Sequence, residues 1–459
     1  MEKTYWWLTA TLLKNINKKL VGSFMLLASF LLVPNAYAQT IIYDEETETF
    51  LQGLSMPLFR SANVPFNRNN IYIISDDSLN AFVSDGNSLF INTGTIVRAG
   101  SDDELRGVIA HEIGHIQGGH ILRGKLKAQQ LSEAGLASML VAGAAAVASG
   151  RGDVGMALML GSQGSIFNDY LNYRVQEERS ADEAGIRLLN DNHISPQGMR
   201  NFMKKIEKEN LATGVTETSY FRTHPVTSER ISFIEDAAQK SPYKGVQTTE
   251  EFVRIKAKLT AYLYPPEVVL ATYGKGQTIA DKYALAIINY RMMKKEKSIS
   301  IIDELITIEP NNPYFHELKG QIYLETGNAK QAKAEYSKAL ALLPNSNLFR
   351  VNLAQAVLED EPTQAELVQT ENNLNKVIIV QPTYESWLLL ARTYALRNNM
   401  AGANYASAES SLRIGQFDAA HKQIDMARKA SPTPALSLKL NDLENRIKDA
   451  EKDAYQGQY

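Results

Sequence analysis

"SDDELRGVIAHEIGHIQGGH", residues 101–120, decides how the first half of this chain is read. Ser101 followed by Glu104 is a capping-box pattern, and Leu105, Val108 and Ile109 continue an apolar stripe, so the segment opens as a helix. His111 and His115 are four residues apart on that helix and share one face. Glu112 projects about 100° round the axis, where a carboxylate reaches a water held at the histidine face. The H-E-x-x-H spacing predicts a metal-binding catalytic helix; the competing reading is two histidines satisfied inside a core. His120 lies one residue short of the third-histidine position of the extended zinc motif, which Ile121 occupies. It is read as a surface histidine or as a partner of a ligand.

A catalytic zinc usually takes three protein ligands and leaves one position open to water. The chain has no cysteine, so the third ligand must be His, Asp or Glu. The best candidate stretch is "YRVQEERSADEAG", residues 173–185, where Glu178 and Asp182 stand four apart on a helical segment. Asp182, one turn on, is placed to accept the free ring N–H of a ligating histidine. The alternative is a solvated acidic face formed by Glu177, Glu178, Asp182 and Glu183.

On either side of these helices the pattern changes. Residues 71–92, "IYIISDDSLNAFVSDGNSLFIN", alternate β-branched and aromatic residues with polar ones and are punctuated by Asp85-Gly86-Asn87, which predicts a hairpin and a small antiparallel sheet. From Asp102 to about Ala238 the apolar spacing is helical, so this half is α+β with helices dominant. Ala134–Ser149, uncharged and rich in Ala, reads by default as a buried helical hairpin continuing to Phe167. A mobile lid or a membrane-facing patch is the sharper reading. Composition turns polar near Lys240–Gly245, setting a boundary near 250. Beyond it, Gly320, Tyr323, Ala332, Tyr336, Ala339 and Pro344 fall in register on the 34-residue tetratricopeptide pattern, and Trp387, Leu390, Ala391 and Tyr394 repeat its first half. Residues 251–459 are therefore expected to form an all-α solenoid that binds protein segments.

A net charge of −3 gives no field for a polyanion, which argues against nucleic acid as a partner. Lys14, Lys18 and Lys19, the apolar run Leu20–Val33 and the small residues Ala36 and Ala38 predict a secretory signal over 1–38, with a metalloprotease domain expected over 39–250.

The H-E-x-x-H at 111–115, the E-x-x-A-D at 178–182 and "THPVTSERI" at 223–231 together resemble the gluzincin family of HtpX-like and CAAX-prenyl-type zinc endopeptidases. With an export signal before and tetratricopeptide repeats behind, the chain resembles the periplasmic members of that family in Gram-negative bacteria. The resemblance implies a zincin-type fold and one Zn²⁺ per chain, held by His111, His115 and Glu178. Glu112 is the implied general acid/base, and His224 lies at the zinc. His224 is either a latch in the fourth ligand position or a donor to the oxyanion. Implied partners are protein substrates and, through the repeats, the outer-membrane β-barrel assembly machinery, with peripheral membrane contact an open possibility. The competing class is a chaperone or scaffold acting through the repeats, with the zinc site latent.

Overall fold

The computed structural model describes residues 40–67, 70–84, 87–127, 129–134, 152–213 and 224–456, with the backbone alone over 152–171, 210–213 and 455–456. The signal segment and most of the uncharged stretch after Ala134 lie outside the described residues. Among the described residues no helix is long and apolar enough to cross a membrane. The chain divides into two compact units, residues 41–349 and 350–459.

Residues 41–349 begin with a short strand β1 (Ile41–Ile42) and helix α1 (Glu45–Ser61), followed by β2 (Ile71–Ile74), β3 (Ala81–Ser84) and β4 (Ser88–Asn92). The sheet order is β1-β2-β4-β3. β3 and β4 form the expected antiparallel pair, with Phe82 opposite Phe90, and β1 pairs antiparallel with β2. The sheet is nonetheless mixed, because β2 runs parallel to β4, Ile71 opposite Leu89. The reason lies in the link between β2 and β3. Instead of turning tightly, it folds onto the start of α2 (Thr93–Arg98): Gly94 N–H donates to the Asp76 carbonyl at 2.9 Å and Thr95 Oγ1 donates to the Asn80 carbonyl at 2.7 Å. A Cβ on Gly94 would sit 2.0 Å from the Asp77 carbonyl oxygen, so only glycine permits this closure. β3 is thereby carried past the position beside β2, which β4 fills.

Helix α3 (Asp102–Gly118) starts at the expected Ser101 cap, whose hydroxyl accepts from Glu104 N–H at 3.1 Å. Glu104 reaches back one residue further than a capping box requires, accepting from Gly100 N–H at 2.8 Å and from Lys205 at 2.7 Å. From Asp102 to His115 all of α3 except Arg106 is buried, so it is a core helix and two neighbours must come close. α4 (Gly152–Asp191) does so through small residues. A Cβ on Gly114 would meet the Ala181 carbonyl oxygen at 2.6 Å, and one on Gly185 would meet His111 N at 3.1 Å. α5 (Gln197–Thr213) approaches the same face about two turns earlier, with Gly107 against Met199.

Beyond α6 (Ser228–Lys240) come α7 (Glu250–Leu263), α8 (Pro266–Tyr273) and two helical hairpins, α9 (Ile279–Arg291) with α10 (Lys295–Ile308) and α11 (Pro313–Glu325) with α12 (Ala329–Leu342). α9, α11 and the next helix, α13 (Asn347–Glu359), begin 34 residues apart, the period expected. In the second hairpin Gly320 faces the Tyr336 ring, which a Cβ would meet at 2.9 Å, and Gly327 takes φ +77° in the turn. Helices 250–342 belong to the same compact unit as α3. Buried ion pairs join them to α1 and the residue before it: Arg254 Nε lies 2.6 Å from Glu46, and Lys258 pairs with Asp44 and Glu46.

Residues 350–459 repeat the hairpin theme with α14 (Gln364–Val380), α15 (Tyr384–Leu396), α16 (Met400–Arg413), α17 (Phe417–Lys429) and α18 (Pro434–Gln456). Trp387 packs edge-on against Tyr405 at 5.7 Å between centroids.

The α3/α4 crossing yields a direct test. Gly114→Ala inserts a methyl against backbone that cannot yield, which should destabilise the fold by about 1–3 kcal/mol. A urea midpoint equal to wild type for the metal-free variant would show that the helices do not depend on this contact.

Candidate metal centre

Helix geometry presents His111 and His115 on one side of α3, and the α4 crossing at Ala181 carries Glu178, one turn earlier, to the same point. His115 Nε2 is 3.1 Å from His111 Nε2 and 3.4 Å from Glu178 Oε1, and His111 Nε2 is 3.3 Å from Glu178 Oε2. His224 arrives from the loop before α6, its Nδ1 3.3 Å from His111 Nε2 and 3.1 Å from Glu178 Oε1. All four side chains are buried, and their ligand atoms lie within 4.8 Å of one another.

Two features of this donor set fit a divalent ion such as zinc. A tetrahedron with arms of about 2.0–2.1 Å has edges of about 3.3 Å. The separations of 3.1–3.4 Å from His111 to its three neighbours and between His115 and Glu178 match those edges. The second feature is charge. Glu112, Glu178 and Asp182 are buried carboxylates, and Arg230 is the buried guanidinium set against them. With Arg174 also 3.9 Å from Glu178 on the more exposed side, the buried groups carry a net negative charge that a divalent cation offsets.

Around the four stand Glu112, Asp182, Arg230 and His120. Glu112 is fully buried, and neither of its carboxylate oxygens has a hydrogen-bond partner among the described residues; His224 Nε2 is near at 3.4 Å. Burial pushes the Glu112 carboxyl above the usual carboxylate range, against the opposing pull of His224 and His111. Asp182 Oδ1 lies 2.9 Å from His111 Nδ1, the ring nitrogen facing away from the site. The distance suits a hydrogen bond, although the ring N–H is not well aligned on the oxygen.

Arg230 is the functional residue that the sequence reading quoted but did not assign. Its Nε and Nη2 donate to the two oxygens of Asp182 at 2.6 and 2.9 Å, and its Nη1 donates to the Pro225 carbonyl at 2.6 Å while lying 3.0 Å from Glu178 Oε2. One guanidinium thus fixes both carboxylates of α4 and the backbone just after His224. Its place six residues beyond His224 on the first turn of α6 was visible, but its partners are about fifty residues away in sequence. His120 is buried rather than on the surface, with Nδ1 2.9 Å from His115 Nδ1. Burial and then the nearby Arg123 charge push its pKa down to about 4.

For His111 burial alone would lower the pKa, but hydrogen bonds to Asp182 and Glu178 more than offset it and raise the group to about 10. The metal-free protein therefore keeps a proton on this ring, and metal must displace it. Because the folded pKa exceeds the ordinary 6.5, the stabilisation this proton gives the metal-free fold is complete below about pH 6.5 and is lost as pH rises through about 10. Zinc uptake at pH 8 should accordingly release about one proton, read from the dependence of the calorimetric enthalpy on the buffer's ionisation enthalpy. An enthalpy independent of buffer would contradict the protonated ring.

Residues 45–238 match peptidase family M48. The chain is 26% identical over 423 residues to the β-barrel assembly-enhancing protease of Escherichia coli (strain K12), covering 90% of this chain and 84% of that one. It is 24% identical to the protein of the same name from Yersinia pestis, with the same coverage. Metalloprotease LoiP of Escherichia coli (strain K12) is 30% identical over 167 residues, 36% of this chain and 60% of that one.

Proposed function

From the premise that residues 45–238 are a peptidase family M48 domain and that the chain is a metalloprotease related to the β-barrel assembly-enhancing proteases, we propose a zinc-dependent endopeptidase of the Gram-negative periplasm. Its substrates are misfolded or stalled envelope proteins, and its work is quality control during outer-membrane β-barrel assembly. The observation that carries the chemistry is the meeting of His111, His115, Glu178 and His224 beside the buried carboxylate of Glu112, which has no hydrogen-bond partner among the described residues. The relatives' name supports the biological setting, and residues 251–459 are proposed to present substrates or to dock on the assembly machinery.

In this reading His111, His115 and Glu178 hold zinc. When bound, the ion lowers the pKa of a water toward ~7 and polarises the scissile carbonyl. The protein's own part is proton handling and positioning. Glu112, dry and raised in pKa, accepts a proton as the peptide carbonyl is attacked and returns it to the departing amine. Asp182 holds His111 so that Nε2 keeps its lone pair toward the site, and Arg230 holds Asp182 and Glu178 in turn.

His224 is read as a latch. Its Nδ1 stands where a fourth ligand would and its Nε2 faces Glu112, so one ring covers both the open position and the base. An oxyanion donor would have to leave the ligand position free, which this rotamer does not. The same geometry is the one observation favouring the alternative of a scaffold with a latent site, and activity measurements separate the two.

Glu112→Gln keeps the shape of the side chain and loses the proton acceptor, so proteolysis of casein should fall at least about 10²-fold at full zinc occupancy. Near wild-type cleavage would remove Glu112 as the base and with it the assigned mechanism. His224→Ala at equal zinc occupancy should cleave faster than wild type. A fall of the size typical for a lost oxyanion donor, about 10²- to 10³-fold, would instead retire the latch.

A further inference from the structure

The hydrogen-bond inventory of the two helix histidines is unequal. His111 turns Nε2 to the site and has the Asp182 carboxylate behind its Nδ1. His115 also turns Nε2 to the site, but what stands behind its Nδ1 is another imidazole, that of His120, at 2.9 Å. A histidine that offers Nε2 as a ligand carries its proton on Nδ1 and needs an acceptor there. His120 Nδ1 meets that need only when its own proton sits on Nε2, an atom with no partner among the described residues.

The local chain is built to bring this ring back. α3 ends at Gly118, and Gly119 takes φ +65°, its N–H donating to the Ile116 carbonyl at 2.9 Å, which stops the helix and redirects the chain before it becomes helical again from His120. His120 then folds over Gly118 so tightly that a Cβ there would lie 2.2 Å from His120 Nε2. Each residue of Gly118-Gly119-His120 thus has a separate task in one contact: space, redirection and acceptor. The ring is 4% exposed and packs edge-on against His115 at 4.9 Å between centroids.

We propose that His120 is a positioning residue for the metal centre, the neutral acceptor that fixes the ring orientation and tautomer of His115. The assignment rests on the reading of His115 as a metal ligand.

The test measures zinc affinity of the full chain by chelator competition, with thermal midpoints of the metal-free proteins alongside. His120→Leu removes the acceptor and should weaken zinc by about 10- to 100-fold. His120→Asn, whose Oδ1 can take the place of Nδ1, should remain within a few-fold of wild type. Gly118→Ala displaces the ring without touching any ligand and should weaken zinc in the same direction, with no further loss when combined with His120→Leu. Metal-free midpoints close to wild type would locate the effect in the loaded state.

Wild-type zinc affinity in His120→Leu, or equal losses in His120→Leu and His120→Asn, would overturn the proposal. So would a drop in the metal-free midpoints large enough to account for the whole change. Should His120→Leu not fold, His120→Asn and Gly118→Ala carry the same comparison. Wild-type protein that takes up no zinc at all would overturn the metal reading itself, and this inference with it.

Discussion

Two helix backbones approach so closely at Gly114 and Ala181, and again at His111 and Gly185, that no side chain fits between them. Everything at the candidate metal centre follows from that approach. Glu178 and Asp182 flank Ala181 on α4, so the crossing that seats Ala181 on Gly114 also delivers one carboxylate to the Nε2 face of His111 and the other to its Nδ1 face. The glycine inside H-E-I-G-H is therefore as much a part of the site as the histidines. A carboxylate brought in by a longer side chain across a wider gap would have more rotamers to lose on ordering.

Burying this many acidic groups has a cost that the surrounding structure must offset. Asp182 and Glu178 meet it through Arg230, and the deeply buried Asp182 is held well within its charged form by that contact and by His111. Glu112 faces the His224 ring at 3.4 Å but no guanidinium, and burial raises its pKa instead. The two outcomes separate chemically similar groups: a carboxylate held by a guanidinium stays ionised and holds its neighbours, while one in a dry place without such a donor holds a proton more readily than an ordinary carboxylate.

How much of this could be read along the chain depends on the range of each contact. H-E-x-x-H, the four-residue spacing of Glu178 and Asp182, and the small and aromatic positions Gly320 and Tyr336 are periodic or local, and helix geometry alone places them. The parallel pairing of β2 with β4 was not legible, because it hinges on Gly94 closing against Asp77, a contact made by backbone atoms. Arg230 stood in a quoted motif without a role, since nothing local says that its guanidinium reaches α4. His120 was closer to legible. Two consecutive glycines before a histidine, just after a helix that needs an acceptor behind its last ligand, are a readable signal once the tautomer of His115 is asked about.

The same question of partners explains why the repeat-like helices up to residue 349 share a unit with the metal helix. The carboxylates of Asp102 and Asp103, in the first turn of α3, accept from Thr249 N–H at 3.0 Å and Gln247 N–H at 2.7 Å, where helix dipole and backbone donors both favour negative charge. At the far side of α7, Lys258 is fully enclosed and its ammonium survives there because Asp44 and Glu46 surround it; Tyr283 donates to the same Glu46 at 3.1 Å. Removing any one of these partners would strand a buried charge, so each holds the others in place. α7 is thus pinned at its start to the N-terminus of α3 and along its length to the residues that begin α1. Any rigid displacement of α7 must therefore move α3 with it or break the hydrogen bonds to Asp102 and Asp103, and move the start of α1 with it or break buried ion pairs, so the hairpins that follow α7 are tied to α3 by charged groups as well as by apolar packing.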